Sequence, residues 1–225
     1  LQELNLADLT SLSWAYIDNC TAITSIDISN TRMSDISALN IPSLTNFKTL
    51  KASDAALSDS ELAGMLKDTL EVIDISDNSS VTEIDLSGFE NLKTLDVSNS
   101  GLKGLDVSYC SNLETVDAGD CTQLDYFVMS TGNDIEYIGL TSVNISGCTS
   151  MTMIHLSDAP NLEEFNLSGL ANLTDVYVQN CPKITSLDLS SAMNITLINV
   201  RDSGLTSGSV ALPAGKDESM ITGLS

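Results

Sequence analysis

Apolar and polar residues alternate along this chain in short bursts, and the bursts recur on a regular beat. Residues 92–100 read LKTLDVSNS, 102–110 LKGLDVSYC and 113–121 LETVDAGDC. Further on, 162–170 read LEEFNLSGL, 173–181 LTDVYVQNC and 184–192 ITSLDLSSA. The shared form is L-x-x-L-D-L-S-x-x. Taking the second apolar residue as origin, the units start at Leu4, Ala15, Ile26, Leu50, Ile73, Ile84, Leu95, Leu105, Val116, Phe127, Val143, Ile154, Phe165, Val176, Leu187 and Ile198. Most steps are eleven residues. Apolar, polar, apolar at 0, +1 and +2 is the period of a strand. Eleven residues suffice for one short strand and one turn, so two units complete a coil. Coils of about 22 residues then stack strand on strand at a spacing of about 4.8 Å.

Four steps depart from the beat; one, from Leu95 to Leu105, is ten residues. Those from Ile26 to Leu50 and from Leu50 to Ile73 are 24 and 23 residues, long enough for an outer wall that is not a strand. Ser58-Asp59-Ser60-Glu61, followed by Leu62, Met65 and Leu66, reads as a capped helix of one or two turns. The step from Phe127 to Val143 is 16 residues. If it is one enlarged turn, alternate units keep their faces throughout. If Ile135–Leu140 forms a strand unit of its own, the faces exchange after it. The predicted fold is a repeat solenoid, mostly β, with parallel strands on two faces and short helical or irregular outer segments near 58–69. It covers residues 1–203, and 204–225, which leave the pattern, form a C-terminal cap or the start of a linker.

Alternation sorts the units onto two faces. Face one carries those at Leu4, Ile26, Leu50, Ile73, Leu95, Val116, Val143, Phe165 and Leu187. Its +1 residues are polar and monotonous: Asn5, Asp27, Lys51, Asp74, Asp96, Asp117, Asn144, Asn166 and Asp188. Face two carries Ala15, Ile84, Leu105, Phe127, Ile154, Val176 and Ile198. Its outward positions hold Trp14, Tyr16, Tyr126, Val128, Met153, His155, Tyr177 and Leu197. Large amphipathic side chains turned outward are the residues that carry most interface energy. Tyr126, Val128, Met153, His155, Tyr177 and Leu197 are therefore the candidate partner-binding residues. If the faces exchange, Tyr126 and Val128 part from the others, while Met153, His155, Tyr177 and Leu197 stay together on units 22 residues apart.

Composition narrows the partners. The 225 residues hold nine Lys and Arg against 31 Asp and Glu, a formal net charge of −22. Such a chain repels phosphate backbones and anionic membrane surfaces, so nucleic acid is not an expected partner. No apolar run reaches the roughly 20 residues of a membrane span. The chain starts at Leu1 with a repeat already under way and no secretory signal, which reads as a processed or excised chain. There is one His, no Cys-x-x-Cys, no nucleophile motif and no glycine-rich phosphate loop. Aspartates at +1 (Asp27, Asp74, Asp85, Asp96, Asp106, Asp117 and Asp188) would form acidic rows on wet faces, where water and salt offset their repulsion. They lack the glycine-rich spacing of calcium-binding coils. No metal, cofactor or catalytic residue is assigned. Asn-x-Ser/Thr at Asn78, Asn144, Asn166, Asn172 and Asn194 would be glycan acceptors in a eukaryotic secreted chain, but several simply follow from N-L-S or N-I-S strand ends and they are read as incidental.

The unit resembles the leucine-rich repeat, L-x-x-L-x-L-x-x-N/C-x-L. Position +5 carries Cys20, Asn78, Cys110, Cys121, Cys148 and Cys181, matching that family's Asn/Cys slot. The nested eleven-residue form is similar to a short bacterial subclass, and Arg32 to Leu39, RMSDISAL, resembles the outer half of internalin-type repeats. The resemblance implies buried thiols facing turn backbone. Cys121 and Cys148, on neighbouring coils, are the one pair whose bridging merits a test. It also implies a non-enzymatic protein-binding surface of a bacterial cell-surface or secreted protein. The alternatives are a glycan-binding surface, suggested by aromatics beside Asp and Asn, or a structural spacer.

Overall fold

A computed structural model describes residues 1–17, 19–33, 39–60, 62, 68–130 and 139–224. It is a solenoid of stacked parallel strands with almost no helix. Sheet one consists of β1 (Glu3–Asn5), β2 (Ser25–Asp27), β3 (Thr49–Lys51), β4 (Val72–Asp74), β5 (Thr94–Asp96), β7 (Thr115–Asp117) and β9 (Ser142–Asn144), paired in that order. Sheet two consists of β6 (Gly104–Asp106), β8 (Tyr126–Met129), β10 (Met153–Ser157), β11 (Asp175–Gln179), β13 (Leu197–Asn199) and β15 (Ile221–Thr222). β12 (Leu187–Asp188) and β14 (Val210–Ala211) pair separately.

The register sets origin beside origin. On sheet one Leu4, Ile26, Leu50, Ile73, Leu95, Val116 and Val143 form one column. On sheet two Leu105, Phe127, Ile154, Val176, Ile198 and Ile221 form another. From Ile23 to Val210 these columns and their −3 and +2 neighbours make one continuous buried cluster. No coil closes a core alone, so each is stabilised by its neighbours.

The pairing also settles the 16-residue step. β7 pairs with β9 and β8 with β10, so the faces do not exchange. Of the segment offered for a separate strand, 135–138 lie outside the described residues, and Leu140 is buried. Glu61, Met65 and Leu66 of the anticipated helix, and 34–38 of the RMSDISAL segment, also lie outside them. Leu62, Met33 and Leu39 are buried.

Polar residues between the strands form the turns. In the −5/0/+5 frame, the +1 Asp or Asn folds its carboxylate or amide oxygen onto the backbone N–H two residues later. Asp27 accepts from Ser29 (3.0 Å), Asp96 from Ser98 (3.0 Å), Asp117 from Gly119 (2.9 Å) and Asp188 from Ser190 (2.9 Å). Asp74, Asp85, Asp106, Asn5, Asn144 and Asn166 do the same. These Asx turns are local side-chain alternatives to the strand ladder, and they end it. The +4 position then takes a left-handed conformation, with positive φ at Asp8, Asn19, Asn30, Asp54, Asp77, Asn99, Asp120, Asp158, Asn180 and Asp202 and at Gly88, Gly147 and Gly169. That conformation costs most L-residues about 1–2 kcal/mol, and Asn, Asp and Gly tolerate it best. The +5 slot points back inside. Asn78, 2% exposed, donates to the carbonyls of Ala52, Ile75 and Ser76 and accepts from the N–H groups of Ala55 and Leu57.

Three units differ from expectation. No strand forms around Ala15, Ile84 or Phe165. Ala15 and Ile84 border the wide coils, whose outer wall holds a 3-10 helix at Ile41–Ser43 and no strand among the described residues, so neither has a strand to pair with on that side. At Phe165 the inward slot is kept, with the ring buried, but sheet one has already ended at β9. Residues 204–224 add a further coil: β14 pairs with β12, and β15 extends sheet two beyond β13. There Glu218 accepts from Ser207 Oγ (2.7 Å) and the Gly208 N–H (2.6 Å), and Lys216 Nζ donates to the Ile195 carbonyl (2.9 Å). At the opposite end Leu4, Leu6, Leu12, Ala15, Ile17 and Cys20 are only partly buried.

Candidate functional site

Sheet two brings the six predicted residues onto adjoining strands. Their side chains leave the sheet because they occupy −1 and +1, on either side of a buried origin. The −1 column runs Gly104, Tyr126, Met153, Asp175, Leu197 from β6 to β13. The +1 column runs Asp106, Val128, His155, Tyr177, Asn199, Thr222 from β6 to β15. Val128, His155 and Tyr177 are thus direct neighbours, and Tyr126 lies beside Met153. Leu197 is separated from Met153 by Asp175, so the apolar strip is interrupted at one position.

Two rings meet at the centre of the strip. The His155 and Tyr177 rings pack with centroids 4.9 Å apart and planes tilted by 34°. Val128, Met153, His155, Tyr177 and Leu197 are half-buried, and Tyr126 is exposed at 41%. Burial holds the His155 imidazole below its usual range, and the Asp158 charge opposes part of that shift. At neutral pH the ring is therefore uncharged and presents one donor and one acceptor. Polar groups frame the strip: Asp125 accepts from Thr152 Oγ1, and Asp175 accepts from Thr174 Oγ1 (2.7 Å).

The other outward aromatics lie elsewhere. Trp14 and Tyr16, 65% and 68% exposed, belong to the Ala15 unit, which forms no strand, and are separated from β6 by the wide coils. Tyr109, also exposed, follows β6 at its +4 position. Sequence reasoning missed both Tyr109 and Gly104. A glycine inside a strand is a recognised mark of close approach, and Gly104 carried that mark.

Sheet one offers a different surface. Its +1 side chains are mostly committed to Asx turns. At the −2 positions Lys48, Glu71, Lys93 and Glu114 alternate in charge along the stack. Glu71 is bonded to Lys48 and to Lys93 Nζ (2.8 Å), and these two ammonium groups lower its carboxyl to about 2. Among the described residues no group of three or more His, Cys, Asp or Glu is placed to hold a metal ion. A cleft of about 490 Å³ lies where the wide coils meet the narrow ones, lined by Asp59, Glu83 and Asp85 over Leu62, Ile84 and Phe89. Asp59 is occupied there, accepting from Thr82 N, Thr82 Oγ1 and Glu83 N.

The cysteines are all free thiols. Cys121 Sγ donates to the Val97 carbonyl and Cys148 Sγ to the Ala118 carbonyl, each at 3.1 Å. Burial raises the Cys110 and Cys148 thiols to about 12 and Cys181 to about 11. Cys121 and Cys148 therefore act as ladder donors to turn backbone and are not bridged.

No family profile matches the chain, and no curated protein matches it. Among solved structures it is similar to the functional domain of InlJ from Listeria monocytogenes, which includes a cysteine ladder. That match has 18% identity over all of this chain and 58% of the other, with a TM-score of 0.38. It is similar to the internalin InlF from the same organism (18% identity, 88% of this chain and 76% of that one, TM-score 0.40). It is also similar to the leucine-rich-repeat domain of the type III effector XopL (14% identity, 94% and 75%, TM-score 0.47). The chain spans 58% of the InlJ domain's length.

Proposed function

We propose that this leucine-rich-repeat solenoid is a recognition module that binds a protein partner across sheet two. The observation that supports it is the contrast at +1. On sheet one that position is given to Asx turns in every strand but β3, and on β8, β10 and β11 it is given to Val128, His155 and Tyr177, which cap no turn. An apolar and aromatic strip with a polar frame has the make-up of an interface centre. Neutral His155 and half-buried Tyr177 supply hydrogen bonds at its middle. The reading includes a secreted or surface location in a bacterium, by analogy with proteins that carry this type of repeat, and no enzymatic role.

The test immobilises the 225-residue chain and captures ligands from bacterial and host surface-protein extracts, with a glycan array run in parallel. The expected result is a protein captured by the native chain and by Asp96→Ala, and lost with His155→Ser/Tyr177→Ser. Equal capture by the double variant would remove sheet two as the binding surface. Array binding that depends on the same two residues would replace a protein partner by a glycan.

A further inference from the structure

The glycines of this chain lack side chains for different reasons, and Gly104 stands apart. Gly88 and Gly169 take positive φ at the +4 turn position, and their surroundings are open. Gly101 and Gly204 are excluded from carrying a Cβ by backbone: it would come within 2.3 Å of the Ser79 and Pro182 carbonyl oxygens, respectively. Gly104 sits in β6, in strand conformation, and is not among the residues with positive φ. The three atoms nearest to a Cβ placed there all belong to one side chain: Tyr126 Cζ at 2.1 Å, Cε1 at 2.4 Å and Oη at 2.4 Å. Backbone conformation does not require a glycine here, and no backbone atom is among the nearest obstacles. The tyrosine occupies the space.

Position −1 elsewhere in the paired strands carries a side chain: Glu3, Ser25, Thr49, Val72, Thr94, Thr115 and Ser142 on sheet one, and Tyr126, Met153, Asp175 and Leu197 on sheet two. Gly104 forgoes the packing and rigidity a side chain gives a strand. We propose that Gly104 is a positioning residue for the recognition strip. Its missing side chain lets the Tyr126 ring lean off β8 and cover β6. This carries the strip one strand further, across β6, β8, β10, β11 and β13. At the usual strand spacing these five strands extend over about 19 Å. With any side chain at 104 the ring must leave that place, and the surface that Tyr126 offers a partner changes although Tyr126 itself is intact.

The proposal rests on sheet two being the binding face, but its first test does not. Thermal unfolding is measured for the native chain, Gly104→Ala, Tyr126→Ala and the double variant. Alanine favours a strand over glycine, so Gly104→Ala raises Tm in the Tyr126→Ala background. In the presence of Tyr126 it lowers Tm, and the two shifts differ by about 2–4 °C, the effect of roughly one displaced contact in a chain of this size. Equal shifts in both backgrounds would overturn the proposal, because a backbone role for Gly104 does not depend on residue 126.

A spectrometric readout separates position from stability. Nitration by tetranitromethane, mapped by mass spectrometry with Tyr109 as internal reference, modifies Tyr126 several-fold faster in Gly104→Ala than in the native chain. An unchanged ratio counts against the proposal. With a partner in hand, Gly104→Ala weakens binding as much as Tyr126→Ala does. Coupled Tm values together with a partner indifferent to both variants leave Gly104 positioning Tyr126 and place the interface away from the β6 end. Additive Tm values together with loss of binding in His155→Ser/Tyr177→Ser refute only the role of Gly104.

Discussion

Sheet one and sheet two are built from the same eleven-residue unit, yet their strands differ in length for a reason that can be traced to one side chain. Every sheet-one strand has three residues. On sheet two β6 and β13, with Asp106 and Asn199 at +1, also have three. β10 and β11, with His155 and Tyr177 there, have five and pair along all of them, from Met153 and Asp175 to Ser157 and Gln179. An Asx turn captures the +3 N–H and stops the ladder. Without that side chain the ladder runs on. Lys51 shows that freedom from the turn is not enough: β3 stays short between two neighbours whose strands end in aspartate. The long ladder needs two adjacent units without the turn, and these are the units that carry the candidate site. Where the chain gives up a local turn it gains both a longer strand and an outward position for a large side chain.

The comparison can be attacked first from inside, where the two sheets are alike. Leu95→Ala on sheet one and Leu105→Ala on sheet two, both at fully buried origins, should each cost about 2–5 kcal/mol in denaturant unfolding. A loss below about 1 kcal/mol at either would mean the stack does not bear on that column. Second in size is the effect on binding. His155→Ser/Tyr177→Ser should weaken partner binding by about 2 kcal/mol or more, the scale of an interface hot spot, with a much smaller change in stability. A titration showing unchanged affinity sets that expectation aside.

Third, Asp96→Ala and Asp117→Ala each remove an Asx turn and should lower stability by about 1 kcal/mol while leaving partner affinity alone. The opposite pattern, binding lost and stability kept, would transfer the recognition role to sheet one. The smallest effects are those of pH. Glu71 is held at about 2 against an ordinary 4.5. Its contribution is complete above pH 4.5 and is lost as pH falls toward 2, so Glu71→Gln should flatten the acid limb of the unfolding curve. The His155 shift is also downward, from 6.5. The neutral ring is favoured in the fold above that pH, and binding should weaken on acidification below it in the native chain but not in His155→Ser.

Much of this was legible in the chain itself. The beat of eleven located the paired origins from Leu4 to Ile198, but not Val210 and Ile221, which the ladders add at the C-terminal end. The outward aromatics on alternate units were readable because strand alternation is a local rule. The aspartates at +1 were visible too, but as acidic rows; that each folds back on its own turn depends on a geometry two residues long that hydrophobic patterning does not register. The +4 position repeats Asp, Asn or Gly from Asp8 to Asp202, a left-handed signature that an apolar template passes over. Strand formation at Ala15, Ile84 and Phe165 depends on what the neighbouring coil offers, which no single unit contains. The 16-residue step after Phe127 left two arrangements open because both satisfy the alternation, and only pairing of Phe127 with Ile154 decides between them.

The five cysteine thiols give the stack a built-in set of reporters. Cys110, Cys121, Cys148 and Cys181 are sealed in the interior, whereas Cys20 lies in the first, partly open coil. An alkylating reagent reaches a sealed thiol only during a local opening, so its labelling rate measures how often that coil parts from its neighbours. In a one-dimensional array such openings begin at the ends and move inward. A pulse of reagent should therefore mark Cys20 first and the central thiols last, tracing the unzipping of the rod coil by coil without any engineered probe.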